Sequence, residues 1–402
     1  MNYDVVIVGS GIVGATAALA LAKNSSLKIA LLDAKTSPAH ERKTEYDFRV
    51  SALSSASKNI LENLSAWNLI EKKRVSSYQK MSVWNTPGHG EISFDCEHIN
   101  QPALGYIVED SVTRASLLEE ISRCPTIDVI SPIKLISLNE TEKNIELTAE
   151  NQITLSAKLV IGADGAHSWI REKAGIELKT RSYQHTAIVA TVESELPHET
   201  TARQRFLPQG PLAFLPLDRP NFSSIVWSTS PSEAEELLSL SDIDFCKRLS
   251  DAFDYRLGNI THTDSRHAFP LVMRHAKNYV RPRIALIGDA AHTVHPLAGQ
   301  GVNLGLLDAA SLAEVIHAAH KKNRDIGSFA TLRRYERWRK SDTIAMLTMV
   351  EGLKQLFASE KRLIQTIRDT GINFSNQFLL IKNFFANYAV GKRGDLPVLA
   401  RS

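Results

Sequence analysis

Three glycines near the start of the chain have the spacing of a phosphate-binding turn. Gly9, Gly11 and Gly14 follow an apolar run that predicts a strand (3–8) and precede an alanine- and leucine-rich run that predicts a helix (12–23). Glycines in such a turn let backbone N–H groups approach a pyrophosphate, and the N-terminus of the following helix carries partial positive charge. The pattern therefore predicts a dinucleotide site, against the alternative of a tight turn with a structural role only.

An acidic residue completes this first unit. Asp33 ends a second predicted strand (28–33), so that strand, helix and parallel strand form a βαβ unit. A carboxylate at this place accepts hydrogen bonds from the ribose hydroxyls of an adenosine. Ser10, between the first two glycines, is counted with them as a cofactor-binding residue. This motif alone does not separate FAD from NAD.

A second acidic residue separates the two cofactors. Asp289 follows Gly288 at the end of a late apolar strand (283–287), where a carboxylate is well placed to bond a sugar-alcohol chain. Downstream, small residues lead into a helix predicted to run to about His317. Such a helix N-terminus can approach a flat ring and stabilise the negative charge of a reduced flavin. The cofactor-binding residues predicted in this segment are Gly299, Gly301, Val302 and Asn303.

A third motif lies in the middle of the chain. Asp164 and the glycine after it are followed by Ser168 and Arg171 in the pattern DGxxSxxR. With the early glycines and the late Gly-Asp pair, the chain resembles the FAD-dependent aromatic hydroxylases of the p-hydroxybenzoate hydroxylase type, which carry these three motifs in this order. The resemblance implies that Asp289 binds the ribityl chain of FAD. It also implies that Asp164 and Arg171 serve the binding of FAD and NAD(P)H.

Further segments are similar to bacterial ubiquinone-biosynthesis hydroxylases (UbiH, UbiF and UbiI, also called VisC). The resemblance is greatest to the UbiI (VisC) branch of 2-polyprenylphenol 6-hydroxylases, and it implies that NAD(P)H reduces FAD and that O2 supplies the oxygen. A polyprenylphenol would then be hydroxylated at ring carbon 5, ortho to a phenol hydroxyl. The sister branches, which act at other ring carbons, share most of these segments. The segments are 49–53 (RVSAL), 104–109 (LGYIVE), 183–185 (YQH), 210–216 (GPLAFLP) and 295–305 (HPLAGQGVNLG).

The resemblance also adds individual residues. Arg49 and Arg114 are assigned to the cofactor, although a surface salt bridge is the usual role of a lone arginine. No catalytic side chain is assigned, because in such enzymes the protein excludes water and positions the ring while the cofactor performs the chemistry. For the pocket residues the alternatives are a hydrogen-bonded strand histidine and core packing. The substrate-pocket residues so implied are His185, Leu215, Pro216 and Pro296.

An iron site is the alternative source of a hydroxylase activity. Asp289, His292 and His295 have the residue types of a two-histidine, one-carboxylate site, and His262 with Asp264 forms an HxD pair. Such sites need an open metal position in a matching scaffold, and here the histidine pair lies inside a predicted flavin motif. We therefore expect no metal. The glycines between 299 and 305 do not directly follow a strand, so a separate NAD(P)H domain is not expected either.

The composition is that of an ordinary soluble globular protein. The chain has 402 residues, of which 43% are hydrophobic and 23% charged, and its formal net charge is +3. That charge does not indicate nucleic acid binding, which calls for a clustered basic face and a pI above about 9. Cys96, Cys124 and Cys246 share no metal-ligand spacing and are expected to be reduced thiols of a cytoplasmic enzyme.

The location and partners follow from the implied substrate. The uncharged run 5–22 has the length of a membrane span, but the glycines and the preceding Asp4 favour a strand, a turn and a helix. A polyprenyl tail still has to be met at a lipid surface or through partner proteins, so the enzyme is expected in the cytoplasm or peripherally at the inner membrane surface. The expected partners are the polyprenylphenol and other ubiquinone-biosynthesis proteins or a lipid carrier; a homo-oligomer is left open. The Phe-rich segment 374–388, with nearby basic residues, leaves a membrane-surface role open.

The positions of the motifs predict a discontinuous nucleotide-binding domain. Between its pieces, period-two alternation predicts antiparallel strands at 81–84, 91–95, 186–194, 203–208, 212–217 and 223–230. We predict an α/β fold in which a p-hydroxybenzoate-hydroxylase-like FAD-binding Rossmann domain carries an inserted antiparallel-sheet substrate domain and a helical C-terminal extension. The predicted ranges are 1–75, 98–182 and 275–342 for the FAD-binding domain, 76–97 and 183–274 for the substrate domain, and 343–402 for the helical region.

Two other functions fit the same sequence. One is a flavoenzyme of this fold that reduces or dehydrogenates without inserting oxygen, such as a prenyl reductase. The other is a non-catalytic FAD-binding subunit that scaffolds a biosynthetic complex. Oxygen consumption coupled to a hydroxylated product separates the first from a hydroxylase, and substrate-stimulated NAD(P)H oxidation separates the second.

Overall fold

A computed structural model describes residues 1–36, 45–84, 91–293, 301–358 and 395–401, with the backbone alone at 91–92 and 346–358. The strands in these ranges are β1 (Asn2–Val8), β2 (Ile29–Leu32), β3 (Val50–Leu53), β4 (Ser76–Tyr78), β5 (Lys80–Trp84), β6 (Glu91–Asp95), β7 (Gly105–Glu109), β8 (Ile127–Ile130), β9 (Leu135–Glu140), β10 (Ile145–Ala149), β11 (Thr154–Gly162), β12 (Leu178–Ser194), β13 (Thr201–Leu207), β14 (Gly210–Pro216), β15 (Phe222–Thr229), β16 (Ile260–Thr263), β17 (His267–Ala276), β18 (Val280–Arg281), β19 (Ile284–Leu286) and β20 (His292–Thr293). The helices are α1 (Ile12–Ala22), α2 (Ser55–Asn63), α3 (Trp67–Lys73), α4 (Asp110–Ser122), α5 (Trp169–Lys173), α6 (Pro231–Ser239), α7 (Asp242–Ala252), α8 (Gly301–His320) and α9 (Phe329–Ala358).

The first sheet brings the three sequence motifs to one edge. Its strand order is β18-β19-β11-β1-β2-β8, and β1 pairs in parallel with both β2 and β11. Strand β19 joins β11, also in parallel. The carboxyl ends of parallel strands meet at one edge, and here β1, β11 and β19 lead into the three motifs at Gly9, Asp164 and Gly288. The predicted βαβ unit and the Rossmann fold are confirmed.

The second sheet is the predicted inserted sheet. Its order is β20-β17-β12-β15-β14-β13-β5-β6, with β16 beside β12. Each predicted strand is present, but β13 and β5 pair in parallel rather than antiparallel, because a long excursion of the chain separates them. Helices α6 and α7 cover one face, where Phe214 and Phe253 stack with ring centroids 3.8 Å apart.

A small third sheet lies where the two larger sheets meet. Its order is β3-β7-β4, and its buried residues Ala52 and Ile107 pack against Leu215 and Leu217 at the end of β14. Arg49 directly precedes β3, and α4 directly follows β7. This sheet therefore positions two of the predicted arginines beside the edge that carries the motifs.

The C-terminal helical region begins earlier than predicted. Helix α9 starts at Phe329 rather than near Thr343, and its first turns bury Leu332 and Tyr335 completely. The many basic residues in these turns obscure their apolar spacing in the sequence. The Phe-rich segment 374–388 lies outside the described residues. Residues 395–401 pack on the first domain, where Asn59 Nδ2 donates to Ala400 O at 3.1 Å.

The sequence predicts no candidate membrane span other than the run 5–22, and this expectation needs one correction. The run 5–22 is strand, turn and helix, as predicted. Within the described ranges, however, α8 has the length and composition of a candidate span, and 67% of its most apolar window is buried inside the fold. A helix that is apolar on most sides is expected when protein surrounds it, and α8 is the core helix of the first domain.

Candidate functional site

The glycine turn contains two glycines that the protein itself requires and one that it does not. Gly9 has φ +106°, and a Cβ there would lie 2.3 Å from Ala163 O. A Cβ at Gly14 would lie 1.9 Å from Gly9 O. Gly11 has an ordinary φ of −67° and precedes α1, and a Cβ there would meet no described residue other than its chain neighbours within 4 Å. The turn thus leaves open space at the N-terminus of α1, where unpaired backbone N–H groups attract an anion.

Asp33, Ser10 and Arg114 form a polar cluster at this turn. Ser10 N donates to Asp33 Oδ2 at 3.1 Å, and its hydroxyl donates to the same oxygen. Arg114 reaches over from α4, donating through Nε to Ser10 O and through Nη2 to Ser10 Oγ, both at 2.9 Å. Burial opposes ionisation of Asp33, but the bonds from Ser10 and Lys35 and the charge of Arg114 hold its pKa below the usual value. The cluster presents an ionised acceptor beside the open space at Gly11.

Arg49 lies at the junction of the first and second sheets. Its guanidinium carbon is 5.0 Å from the ring centroid of Phe269 on β17 and 5.7 Å from that of Phe48. Burial raises the pKa of Asp110, at the start of α4, while Ser51 and the charge of Arg49 oppose the rise. Arg49 thus meets an aromatic face on one side and carboxylates on the other. Cation–π contact of this kind fixes the direction of a long side chain.

Asp289 is an accessible carboxylate in the turn that follows β19. Solvent reaches its side chain, yet surrounding protein displaces enough water to raise its pKa. The charges of His292, Arg49 and Arg274 oppose this rise. A carboxylate held in such a position is available to accept hydrogen bonds from the hydroxyls of a ligand.

The central motif at Asp164 is hydrogen-bonded to the late Gly-Asp turn through Arg171. Arg171 is buried and donates through Nη1 to Ala290 O and through Nη2 to Ala166 O, both at 3.0 Å. Asp164 Oδ2 accepts the N–H of Ile170 at 3.0 Å, whereas its Oδ1 is buried without a hydrogen-bond partner among the described residues. Two nitrogens of Arg171 are thereby used inside the protein. The contact that the resemblance implied between Arg171 and NAD(P)H remains a prediction.

The N-terminus of α8 is fixed by Asn303. Its Nδ2 donates to Ala52 O at 2.8 Å, and its Oδ1 accepts from Ser54 N at 2.9 Å and Ser57 Oγ at 2.6 Å. The side chain is therefore used inside the protein, and the contribution of Asn303 to a ligand would come from its backbone N–H. Val302 packs against the core, and among the described residues nothing lies within 4 Å of a Cβ placed at Gly301. Gly299 lies outside the described residues.

The predicted pocket residues are only partly brought together. Leu215 and Pro216 are buried at the end of β14, where Leu215 contacts Ala52, whose carbonyl is held by α8. A cavity of about 20 Å³ lies beside Leu215 and Ala52. His185 is half-buried in β12, within the irregular stretch where its pairing with β17 shifts register. Pro296 lies outside the described residues.

Of the histidines in the alternative iron sites, His292 is hydrogen-bonded to a residue outside the proposed ligand set, whereas His262 is paired with Asp264. His292 Nε2 lies 2.6 Å from Asp308 Oδ2, and both side chains are buried. His262 and Asp264 form an exposed pair at 3.3 Å. The described ranges contain no group of three or more His, Cys, Asp or Glu that is suited to hold a metal ion. His295 lies outside the described residues.

Two residues at this site were not singled out by the sequence analysis. Asp308 is fully buried in α8 and accepts from Gly288 N at 3.1 Å and from Arg339 Nε at 2.8 Å. A signal existed for Asp308, because a lone carboxylate in an apolar helix must be paired when it is buried. Arg339 carried no such signal, since it stands among many basic residues in α9.

The arrangement fits FAD. The described residues leave space at Gly11 and at Gly301, at the N-termini of two helices, which suit a pyrophosphate and an electron-rich ring respectively. Asp33 and Asp289, at the ends of two strands of one sheet, present acceptors for a ribose and for a sugar-alcohol chain. The orphaned Oδ1 of Asp164 adds a buried acceptor near the central motif.

Comparison with known proteins gives the same cofactor. A family model described as FAD binding domain matches residues 2–347. The 3-demethoxyubiquinol 3-hydroxylase of Escherichia coli is 33% identical over 96% of this chain and 98% of its own length. The ubiquinone hydroxylase UbiL of Rhodospirillum rubrum is 34% identical over 98% of this chain and 91% of its own length. The mitochondrial ubiquinone biosynthesis monooxygenase of Mus musculus is 34% identical over 96% of this chain and 90% of its own length.

Solved structures share the fold. PqsL of P. aeruginosa in complex with 2-aminobenzoylacetate has a TM-score of 0.78 at 21% identity, covering 92% of this chain and 100% of that one. The p-nitrophenol 4-monooxygenase PnpA of Pseudomonas putida has a TM-score of 0.73 at 19% identity, covering 96% of this chain and 99% of that one. The p-hydroxybenzoate-hydroxylase-like architecture is confirmed. The chain belongs to the FAD-dependent monooxygenase family that includes the ubiquinone-biosynthesis hydroxylases.

Proposed function

We propose that this monooxygenase hydroxylates the ring of a polyprenylphenol in ubiquinone biosynthesis, at ring carbon 5. The observation that carries the substrate class is the similarity, over nearly the whole chain, to relatives named for ubiquinone biosynthesis. The ring carbon rests on the motifs that resemble the UbiI branch. The E. coli relative is named for a different ring position, so another position in the same pathway is the alternative.

The side chains of the site bind and position; FAD, when bound, supplies the reductive activation of O2 by NAD(P)H. Asp33 accepts from the adenosine ribose, and backbone N–H groups at Gly11 meet the pyrophosphate. Asp289 accepts from the ribityl chain. The N-terminus of α8 at Gly301 stabilises negative charge on the reduced ring. Arg49, stacked on Phe269, brings a positive charge to the same junction.

The substrate ring is proposed to lie at the junction of β14 with the third sheet. Leu215 contacts Ala52 there, and Ala52 is bonded to Asn303 at the start of α8. An apolar wall next to the flavin would exclude water and orient a phenol. These are the two tasks of the protein in a reaction whose chemistry the cofactor supplies. The polyprenyl tail must leave toward a lipid surface or a carrier, because each buried CH2 group favours an apolar environment by about 0.8 kcal/mol. A peripheral location at the inner membrane surface follows from this proposal.

The test is turnover with a defined substrate. Purified holoenzyme, NAD(P)H and a short-tailed polyprenylphenol in detergent should give a mono-hydroxylated product, with the new hydroxyl located at carbon 5 by NMR. A hydroxyl at another carbon would replace the ring assignment and keep the substrate class. Efficient turnover of a small hydroxybenzoate with no turnover of the prenylated phenol would refute the proposed function.

A further inference from the structure

The turn that carries Asp289 is held by a buried residue from another helix. Asp308 of α8 has an exposure of 0%, and its Oδ2 accepts the N–H of Gly288 at 3.1 Å and Nε2 of His292 at 2.6 Å. Its other oxygen, Oδ1, accepts Nε of Arg339 from α9 at 2.8 Å. One carboxylate thus joins the turn, the strand after it and two helices.

The charges of this cluster are matched. Burial opposes ionisation of Asp308, but His292 and Arg339 outweigh it and hold its pKa below the usual value. An ionised carboxylate only accepts hydrogen bonds, so Nε2 of His292 carries the proton. Arg339 Nη1 makes a second bond, to Asp342 Oδ2 at 2.8 Å. A buried carboxylate is tolerated when its partners are complete, and removal of one partner leaves a charge uncompensated.

The cluster acts on the part of the backbone that sets the direction of Asp289. Gly288 has φ +59°, and a Cβ there would lie 3.1 Å from Val13 Cγ1, so the turn is tightly constrained on the α1 side. Asp308 bonds the beginning of the turn, and Arg171 bonds its end through Ala290 O at 3.0 Å. The Asp289 side chain itself is exposed. The backbone that these two residues hold therefore sets the direction in which the Asp289 Cα–Cβ bond points.

We propose that Asp308 is a positioning residue for FAD: through Gly288 N–H and His292 it holds Asp289 in the geometry that bonds the ribityl chain. Arg339 keeps Asp308 in place and so couples α9 to the cofactor site. The inference goes beyond the proposed hydroxylation and rests only on the FAD site, so it stands or falls independently of the substrate.

A double-mutant cycle on FAD affinity tests the coupling. FAD fluorescence on titration of apoprotein gives the dissociation constant for wild type, Asp308→Asn, Asp289→Ala and the double variant. We expect Asp308→Asn to weaken FAD binding about tenfold when Asp289 is present but less than twofold when Asp289 is replaced by alanine. The effects of two substitutions are not additive when the residues act as a unit. Equal losses in both backgrounds would overturn the proposal.

A second pair of variants covers the case in which Asp308→Asn does not fold. His292→Gln keeps an N–H donor near the place of Nε2 and should keep FAD affinity within about threefold of wild type, whereas His292→Leu removes the donor and should lose about tenfold. Leu312→Ala, at a fully buried position of α8, is the matched control for a general loss of packing. It should lower the unfolding midpoint without the loss of FAD affinity. If Gln fails to rescue, or if Leu312→Ala weakens FAD as much as His292→Leu, the positioning role is refuted.

Discussion

At the scale of single residues, the site depends on carboxylates whose surroundings differ. Asp33 is ionised by bonds from Ser10 and by the charge of Arg114. Asp289 has neighbouring cations but is desolvated, so its pKa is raised. A ligand whose hydroxyls donate hydrogen bonds to Asp289 supplies donors for which the described residues provide no counterpart there. FAD binding therefore depends on Asp289 more strongly than the folding of the chain does.

The first prediction concerns Asp289→Ala. The substitution removes ribityl hydrogen bonds to a charged acceptor, worth about 1.5–3 kcal/mol, so FAD affinity should fall roughly ten- to hundredfold. Fluorescence titration of apoprotein measures the loss. Asp289→Asn keeps a neutral acceptor and should lose less. Undiminished FAD affinity in the alanine variant would remove Asp289 from the ribityl site.

The second prediction concerns pH and His275. Burial, followed by the charge of His292, lowers the pKa of His275 to about 4 from 6.5, and His275 Nε2 is hydrogen-bonded to the Tyr279 hydroxyl at 3.0 Å. Between these two pKa values the unfolded chain binds a proton that the folded chain does not, so stability is lost as the pH falls from 6.5 through about 4.

His275→Gln keeps a hydrogen-bonding group for Tyr279 but does not titrate. The difference in free energy of unfolding between wild type and this variant should therefore shrink as the pH falls through that window. Urea unfolding of the apoprotein at a series of pH values measures it. If the difference in free energy of unfolding stayed constant between pH 6.5 and about 4, the lowered pKa of His275 would be contradicted.

At the scale of elements, the glycine turn separates folding from binding. Gly14→Ala places a Cβ 1.9 Å from Gly9 O and should destabilise the apoprotein. The methyl group of Gly11→Ala would lie more than 4 Å from every described residue except its chain neighbours, so apoprotein stability should change by less than about 1 kcal/mol, as expected for glycine and alanine before a helix. FAD affinity should nevertheless fall by tenfold or more, because the methyl group occupies the space for the pyrophosphate. Thermal unfolding and FAD titration of this pair measure both effects, and an unchanged FAD affinity in Gly11→Ala would contradict the position of the phosphate.

The elements most visible in the sequence are those whose pattern is local. The βαβ unit, the late Gly-Asp turn and the strands of the second sheet all follow from glycine spacing or period two. Long-range contacts do not follow from such local patterns. The side chain of Asn303 is hydrogen-bonded to β3 and α2 rather than left for a ligand, and Arg171 is hydrogen-bonded to Ala290, which lies 119 positions away. The start of α9 at Phe329 was missed because charged residues dilute its apolar spacing. Asp308 and Arg339 meet only when α8 and α9 pack.

At the scale of the whole molecule, the end of the described chain packs back onto the first domain. Asn63 Nδ2 donates to Leu399 O at 3.1 Å, Val398 N donates to Glu314 at 2.8 Å, and Ala400 is buried. These contacts tie the segment to α2, which carries the Asn303 partner Ser57, and to α8, which carries Asn303 and Asp308 themselves. The segment therefore stabilises the domain that binds FAD, although it lies far from the motifs in sequence.

The fourth prediction tests this contact. Asn59→Ala together with Asn63→Ala removes two hydrogen bonds to backbone carbonyls, each worth about 1 kcal/mol, so the free energy of unfolding should fall by about 2 kcal/mol. FAD affinity at a temperature where the protein is folded should change less than twofold. Chemical unfolding and FAD titration measure the two quantities. An unchanged unfolding midpoint would show that the segment does not hold α2 in solution.

The proposed function requires that the protein transfer one oxygen atom from O2 to the ring of a polyprenylphenol. The most direct measurement is mass spectrometry of the product formed by holoenzyme with NAD(P)H and a short-tailed polyprenylphenol under oxygen-18 gas. We expect a ring-hydroxylated product that carries one oxygen-18 atom. When only the water is enriched in oxygen-18, the product should carry no label. A product with no label from the gas, or one in which only the prenyl double bonds are reduced, would contradict the proposed function.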